Sequence, residues 1–260
     1  MTKQQERDRA RRRYLKRQAT QAQRATDTDR ARRLGVMGAV IVVVAAVLAA
    51  LGSLFATVAP QPQLTAAGCE APPTPLGTGA KLQLPDKGLA AGKTYTATVT
   101  TNCGDLVLEL DGSRAPQAVS SFLQLAQSDY WLNAPCHRLV KSSPMTVLQC
   151  GDPTGTGQGT PGYGYAVENA PGDGVYVRGT VAMARSSDAQ TGNGGQFFLV
   201  DQKTTLPDPA GYTVFGHIVQ GLDIVDRIVA AGVVGGSDVT DGAPVAPISI
   251  LRVAVTEKKA

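Results

Sequence analysis

Residues 136–152 read CHRLVKSSPMTVLQCGD, and they hold the clearest local signal in the chain. Two short segments of strand-like composition, HRLV at 137–140 and TVLQ at 146–149, flank the turn-forming sequence KSSP. This arrangement predicts two antiparallel strands joined in a hairpin. Cys136 and Cys150 lie at the outer ends of the two strands, where a disulfide between them would hold the hairpin together.

The sequence before this hairpin predicts another hairpin and a helix. Tyr95, Ala97 and Val99 alternate with threonines, as expected of a half-buried strand. The run LVLEL, which follows turn residues at 102–105, continues this alternation. Pro116 stands where the first turn of a helix tolerates proline, and apolar residues then recur at helical spacing for about 13 residues.

The sequence after the hairpin predicts further strands and a second helix. Strand patterns return in GTVAMA, GGQFFLV, YTVFGHIV and PISILRVAV. A helix is predicted at 222–231, where apolar residues share one face and Gly232 can cap the end. Phe197 and Phe198 are adjacent on one strand, so they must point to opposite faces of the sheet. Together these elements predict a mainly β domain, a closed barrel with its two ends plugged by helices.

A glycine-rich stretch at 151–174 is too punctuated by turn residues to form regular structure. Its first part, residues 151–164, lacks the Gly-Lys-Ser/Thr ending of a phosphate-binding loop, and no helix pattern follows it. Residues 151–164 are therefore predicted to be a surface loop beside the groove.

The four cysteines are Cys69, Cys103, Cys136 and Cys150. Their even number is typical of disulfide bonding, and two bridges allow three pairings. The predicted hairpin favours Cys136 with Cys150, which would leave Cys69 with Cys103. Zinc is the alternative for four cysteines, but the chain has no Cys-x-x-Cys pair, so no metal site is predicted.

The basic charge of the chain is concentrated in a tail at residues 1–33. This tail holds 12 Lys and Arg against 4 Asp and Glu, whereas the remainder holds 13 against 17. Nucleic acid is therefore not expected as a partner of the main domain. Basic clusters like the tail favour contact with anionic lipid head groups, although the same composition also suits a solvated topology signal.

Residues 34–59 contain no charged residue and are long enough to cross a bilayer. A cleaved signal peptide is the alternative, because ATVA at 56–59 resembles a cleavage site. The apolar run is longer than such peptides usually carry, so a retained transmembrane helix is predicted. Arg30, Arg32 and Arg33 would keep the N-terminus in the cytoplasm and place the main domain outside the membrane.

Two further segments complete the predicted organisation. Residues 60–92 are rich in proline and predict an extended extracytoplasmic linker. Residues 93–257 carry the strand and helix patterns and form the predicted folded domain.

Four motifs go beyond generic β patterning: CHRLV at 136–140 leading to QCGD at 149–152, MAR at 183–185, GNGGQFF at 192–198 and YTVFG at 212–216. In order and separation they resemble the cyclophilin strings F-H-R-x-I…Q-G-G-D, M-A-N or M-A-R, N-G-S-Q-F-F and H-x-V-F-G. The resemblance covers residues 94–255. It implies an eight-stranded antiparallel barrel capped by two helices, and peptidyl-prolyl cis-trans isomerase activity.

The resemblance also implies the roles of the central site residues. Arg138 matches the catalytic arginine, and Gln149 matches the glutamine that hydrogen-bonds this arginine and the substrate. Phe198 matches the aromatic floor of the proline pocket. Rotation about an X-Pro bond requires no nucleophile, metal or cofactor, so none is expected.

Five more residues match positions that surround the substrate. Ala184 and Arg185 match the pair that contacts the residues before proline, and this arginine is the variant seen in many bacterial-type members. Gln196 matches the glutamine that lines the same subsite. Leu206 stands where some members carry tryptophan, and Tyr212 stands where many carry histidine.

The sequence departs from the family between Arg138 and Gln149, where it is three residues longer than usual. The Phe-Met pair that walls the pocket has no clean counterpart, and Met145 and Val147 are the best candidates. The expected function is isomerisation of X-Pro bonds in proteins that fold outside the membrane. The alternative is a non-catalytic chaperone or adaptor that binds proline-containing peptides on the same scaffold.

Overall fold

A computed structural model of the chain describes residues 64–65 and 67–259, together with Lys16, Thr20, Gly35 and Met37. The chain divides into two units, Met1–Gln61 and Pro62–Ala260, and the second is described below. The predicted tail and transmembrane helix, residues 1–33 and 34–59, lie outside the described residues apart from those four positions. Within the described part of the chain, no helix is long and apolar enough to cross a membrane.

Strands make up most of the regular structure in the described residues. They are β1 (Thr94–Thr101), β2 (Gly104–Asp111), β3 (Ala134–Pro135), β4 (Arg138–Ser142), β5 (Met145–Cys150), β6 (Val175–Tyr176), β7 (Thr180–Arg185), β8 (Asn193–Val200), β9 (Thr204–Thr205), β10 (Val214–Gln220), β11 (Asp241–Gly242) and β12 (Ser249–Glu257). The helices α1 (Pro116–Gln127) and α2 (Leu222–Ala231) lie where the sequence predicts them.

Ten strands form one antiparallel sheet in the order β11-β4-β5-β8-β7-β10-β2-β1-β12-β3, and β6 pairs separately with β9. The sheet includes eight strands of five residues or more, the number expected of the barrel. Its hydrogen bonding ends at β11 and β3, which have two residues each, and Pro135 in β3 has no N–H to continue the ladder. The expectation of a closed barrel is therefore wrong, because over the described residues the sheet curls into an open half-barrel.

The main hydrophobic core lies on the inner face of this curled sheet. Phe197 belongs to the main core, whereas Phe198 belongs to a second cluster on the other face, which confirms their predicted opposite orientation. Helix α1 covers the main core with Phe122. Its ring centroid lies 4.6 Å from that of Trp131 and 5.7 Å from that of Phe215.

Two disulfides are present, and both pairings favoured by the sequence are confirmed. Cys136 is bonded to Cys150 across the β4–β5 hairpin. Cys69 is bonded to Cys103, at the turn between β1 and β2. All four cysteines of the chain are therefore used in bridges.

Residues 67–86, here called the strap, run from the first disulfide across the surface of the domain. The strap contacts the glycine-rich loop through three hydrogen bonds: Gly77 N to Pro153 O (3.2 Å), Lys81 Nζ to Thr160 O (2.8 Å) and Leu82 N to Pro161 O (2.7 Å). Its far end reaches helix α1, where the Gln117 side chain donates to Pro85 O at 3.0 Å. The proline-rich segment is thus tied to the domain along its length.

Candidate active site

Strand register brings three predicted site residues into one row on the outer face of the sheet. Arg138 on β4 is paired with Gln149 on β5, and Gln149 is paired with Phe198 on β8. Neighbouring strands lie about 4.8 Å apart, so the Cα atoms of Arg138 and Phe198 are roughly 10 Å apart. The β4–β5 pairing continues regularly to Ser142 and Met145 at the tip of the hairpin.

The polar side chains of this row form a continuous hydrogen-bonded chain. Arg138 Nη1 donates to Gln149 Oε1 at 3.3 Å, and Gln149 Nε2 donates to Gln196 Oε1 at 2.9 Å. Gln196 Nε2 in turn donates to the carbonyl oxygens of Gly157 and Gly159, at 2.9 and 3.1 Å. Each amide is therefore oriented by its neighbours, and the chain ends in the glycine-rich loop.

That loop is folded around the buried carboxylate of Asp152. The backbone N–H groups of Gly157 and Gly159 donate to Asp152 Oδ2 at 2.6 and 3.1 Å, and Thr154 donates to Oδ1 from its backbone and its hydroxyl, both at 2.8 Å. Burial alone would raise the pKa of Asp152, but these hydrogen bonds outweigh it and lower the pKa. A Cβ at Gly159 would lie 1.9 Å from Asp152 Oδ1, so this position requires glycine. The loop lies on the surface, as predicted, and the hydrogen bonds to Asp152 fix its conformation.

The predicted apolar site residues meet in the second cluster, here called the apolar cup. Its buried members are Val140, Val147, Tyr176, Ala182, Phe198, Val200 and Leu206, and Met145, Ala184, Tyr212 and Val214 pack against them. Both candidates for the missing pocket wall, Met145 and Val147, are therefore in the cup. The Phe198 ring meets Tyr212 and Tyr176 edge-on, with centroids 5.6 and 6.1 Å apart.

Arg185 lies beside the cup, but its guanidinium is occupied by the protein itself. Its Nε donates to Gly211 O at 2.9 Å, Nη1 donates to Ser186 O at 2.8 Å, and Nη2 pairs with Asp208. The side chain is only 3% exposed and its guanidinium carbon lies 5.0 Å from the centroid of the Tyr212 ring. Arg185 therefore fixes the segment that carries Tyr212, rather than offering free donors to a peptide.

A polar cavity of about 400 Å³ adjoins the cup. It is lined by Gln149, Ala184, Arg185 and Gln196 together with glycine-rich segments of both neighbouring loops. Ala184 also packs against the cup, so the cavity borders the cup at this residue. The arrangement sets an apolar surface beside a polar cavity, which suits an apolar ring followed by an extended backbone.

Two residues of the site were missed by sequence reasoning, Asp241 and Tyr176. Asp241 accepts two hydrogen bonds from Arg138, from Nε to Oδ1 at 2.7 Å and from Nη2 to Oδ2 at 2.6 Å. This pairing raises the pKa of Arg138 and lowers that of Asp241. The two residues are 103 positions apart, and no motif surrounds Asp241. Tyr176 lies just beyond the glycine-rich stretch, on the two-residue strand β6, where nothing in the sequence signals burial.

Comparison with known proteins shows which family the domain resembles. The family model of the cyclophilin type peptidyl-prolyl cis-trans isomerases matches residues 96–255. A probable peptidyl-prolyl cis-trans isomerase B of Mycobacterium tuberculosis is 38% identical over 203 residues, which cover 72% of this chain and 63% of the relative. A peptidyl-prolyl cis-trans isomerase of Helicobacter pylori is 41% identical over 141 residues, covering 52% and 81%.

The fold is similar to that of a solved cyclophilin type isomerase of Cryptosporidium parvum, with a TM-score of 0.51 and 30% identity. The match covers 64% of this chain and 99% of that one. The same protein has also been solved in the presence of the dipeptide Ala-Pro. The matched part spans slightly less than two thirds of the length of the mycobacterial relative. Since the family model covers more than half of the chain and includes the row from Arg138 to Phe198 and the whole cup, this chain belongs to the cyclophilin-type peptidyl-prolyl cis-trans isomerase family.

Proposed function

We propose that this protein is a peptidyl-prolyl cis-trans isomerase that acts on X-Pro bonds of polypeptides. The proposal rests on one observation: Arg138 lies beside the apolar cup, whose side chains suit contact with a proline ring. Three of the five N–H groups of Arg138 are used by Asp241 and Gln149, which leaves two without a partner among the described residues. A proline ring seated over Phe198 would place its amide between the cup and this guanidinium.

The chemistry follows from the electronic structure of the amide. Rotation about the X-Pro bond faces a barrier of about 18–20 kcal/mol because conjugation between nitrogen and carbonyl must be broken. In the twisted amide the nitrogen regains a lone pair, which can accept a hydrogen bond that the planar amide cannot. A fixed donor at Arg138 therefore binds the transition state more strongly than the ground state, which is the condition for catalysis.

The rest of the site supports the same assignment. The polar cavity offers room for the residues before proline, with Gln149 and Gln196 as hydrogen-bonding groups. The relative of known structure that was solved with Ala-Pro has the same fold. Its dipeptide is the simplest ligand with the chemistry proposed here.

A non-catalytic peptide-binding scaffold is the second candidate, and one observation favours it. Arg138 is held by two hydrogen bonds to Asp241, so a substrate meets an arginine that is already paired. In that case the cup would bind proline while the arginine contributed nothing to rotation.

An exchange experiment separates the two functions. We expect the purified full-length chain, in non-ionic detergent because residues 34–59 are strongly apolar, to accelerate cis-trans exchange of an Ala-Pro peptide measured by NMR. The uncatalysed reaction takes tens of seconds or more, so acceleration is readily detected. Peptide binding without acceleration would instead establish the scaffold.

We also infer that the domain lies outside the cytoplasmic membrane, with residues 34–59 as its anchor and the basic tail facing anionic lipid inside. The uncharged run, the flanking arginines and the two disulfides of the domain support this orientation. Protease added to intact bacterial spheroplasts is expected to remove the domain and spare the tail. Protection of the domain until the cells are lysed would overturn the orientation.

A further inference from the structure

Arg138 is held by Gln149 on the neighbouring strand and by Asp241 from a distant part of the chain. We propose that Asp241 is a positioning residue, which sets the plane of the Arg138 guanidinium and thereby selects the N–H groups that face the substrate. The inference rests on the proposed isomerase function.

The Arg138–Asp241 pair has bidentate geometry. The two hydrogen bonds, 2.7 and 2.6 Å long, join Nε and Nη2 to the two oxygens of one carboxylate. Such bidentate pairs fix both distance and orientation, unlike a single contact. Gln149 holds Nη1 from the neighbouring strand, so the guanidinium is constrained on two sides. The remaining N–H groups are thereby aimed in a defined direction.

Asp241 is itself held in place by the backbone. It lies on β11, which pairs with β4 so that Asp241 is opposite Val140 and Gly242 is opposite Leu139. The preceding residue, Thr240, accepts a hydrogen bond from Lys141 N at 2.7 Å. Arg138 is two residues from Val140 on the same face of the strand, which makes it a diagonal neighbour of Asp241. The carboxylate is thus presented by a strand rather than by a free loop.

The orientation of the Arg138 guanidinium is expected to affect turnover more than peptide binding. The cup and the cavity should keep their shape whether or not Arg138 is aligned, because neither includes Arg138 or Asp241. A donor displaced by about 1 Å loses much of its effect on the transition state. Loss of Asp241 should therefore lower kcat while leaving KM nearly unchanged.

The test compares three variants in the isomerisation assay with full-length protein. We expect Asp241→Asn to lower kcat about tenfold with KM within about twofold of the wild-type value, and Asp241→Glu to recover part of the loss because it keeps the carboxylate. Asp223→Asn is the matched control, because it removes the carboxylate of an exposed pair with Arg227 on helix α2. An unchanged kcat in Asp241→Asn, or an increase, would overturn the proposal.

A second measurement does not depend on activity. In nitrogen-15-labelled protein, the hydrogen-bonded Nε–H of Arg138 should give a shifted signal protected from solvent exchange, and Asp241→Asn should abolish it while the backbone amide spectrum is retained. Persistence of this signal would show that Asp241 does not orient the arginine. If the wild type fails to accelerate exchange, the proposed function fails, whereas this signal still decides whether Asp241 positions Arg138.

Discussion

Replacement of Arg138 by alanine is expected to lower kcat/KM for X-Pro isomerisation at least tenfold, equivalent to about 1.4 kcal/mol of lost transition-state stabilisation. The variant keeps the cup and the cavity, which do not include Arg138, so peptide binding should change little. Folding should also be preserved, because the arginine side chain is 43% exposed and Asp241 can be hydrated in its absence. NMR exchange rates on an Ala-Pro peptide, measured beside thermal unfolding, provide the check.

Two further variants test whether the loss of activity is specific to the guanidinium of Arg138. Arg138→Lys keeps the charge but removes the planar donor array, so we expect it to recover little activity. Arg252→Ala removes an exposed arginine on β12 that belongs to neither the cup nor the cavity, and should leave activity unchanged. An Arg138→Ala variant with more than half of the wild-type activity would exclude the arginine mechanism and favour a site that acts only through binding.

Removal of the Cys69–Cys103 bridge is expected to cost about 4 kcal/mol of unfolding free energy by the chain-entropy relation. The reason is its sequence separation of 34 residues, since the bridge restricts a long loop in the unfolded chain. The Cys136–Cys150 bridge closes a loop with a separation of 14, for which the same relation gives about 3 kcal/mol.

Urea unfolding of the double alanine variants measures both values. The fluorescence of Trp131 is a suitable probe, because it is the single tryptophan of the chain and is buried in the main core. The parent protein in the same buffer is the reference. A loss below about 1 kcal/mol for the Cys69→Ala, Cys103→Ala variant would show that the restriction of the unfolded chain is not the source of stability.

Local patterns predicted most of the regular structure. The alternation around Phe197 and Phe198 reflects which side chains are buried on each face, and burial on a strand repeats every two residues. The hairpin at 136–152 and helices α1 and α2 follow from periodicity and from turn residues that act within a few positions. Disulfide pairing followed from the same hairpin.

The errors and omissions concern contacts between distant parts of the chain. Whether a sheet closes depends on the tilt and stagger of its strands and on pairing between the two edges, and periodicity does not show that the sheet ends in the two-residue strands β3 and β11. The approach of Asp241 to Arg138 depends on one short pairing of β11 with β4. The roles of Arg138, Gln149 and Phe198 were suggested by family resemblance, and the register explains how they come together.

The bridge between Cys69 and Cys103 also determines how a pulling force would pass through the molecule. Tension applied along the N-terminal segment enters the domain at Cys69 and crosses the covalent bridge to the turn between β1 and β2. The 33 residues enclosed by the bridge, which include most of the strap, carry none of this tension. The strap and the loop that it contacts would therefore keep their shape while the N-terminal segment is under tension, whereas reduction of the bridge would pass the pull through the strap to the edge of the polar cavity.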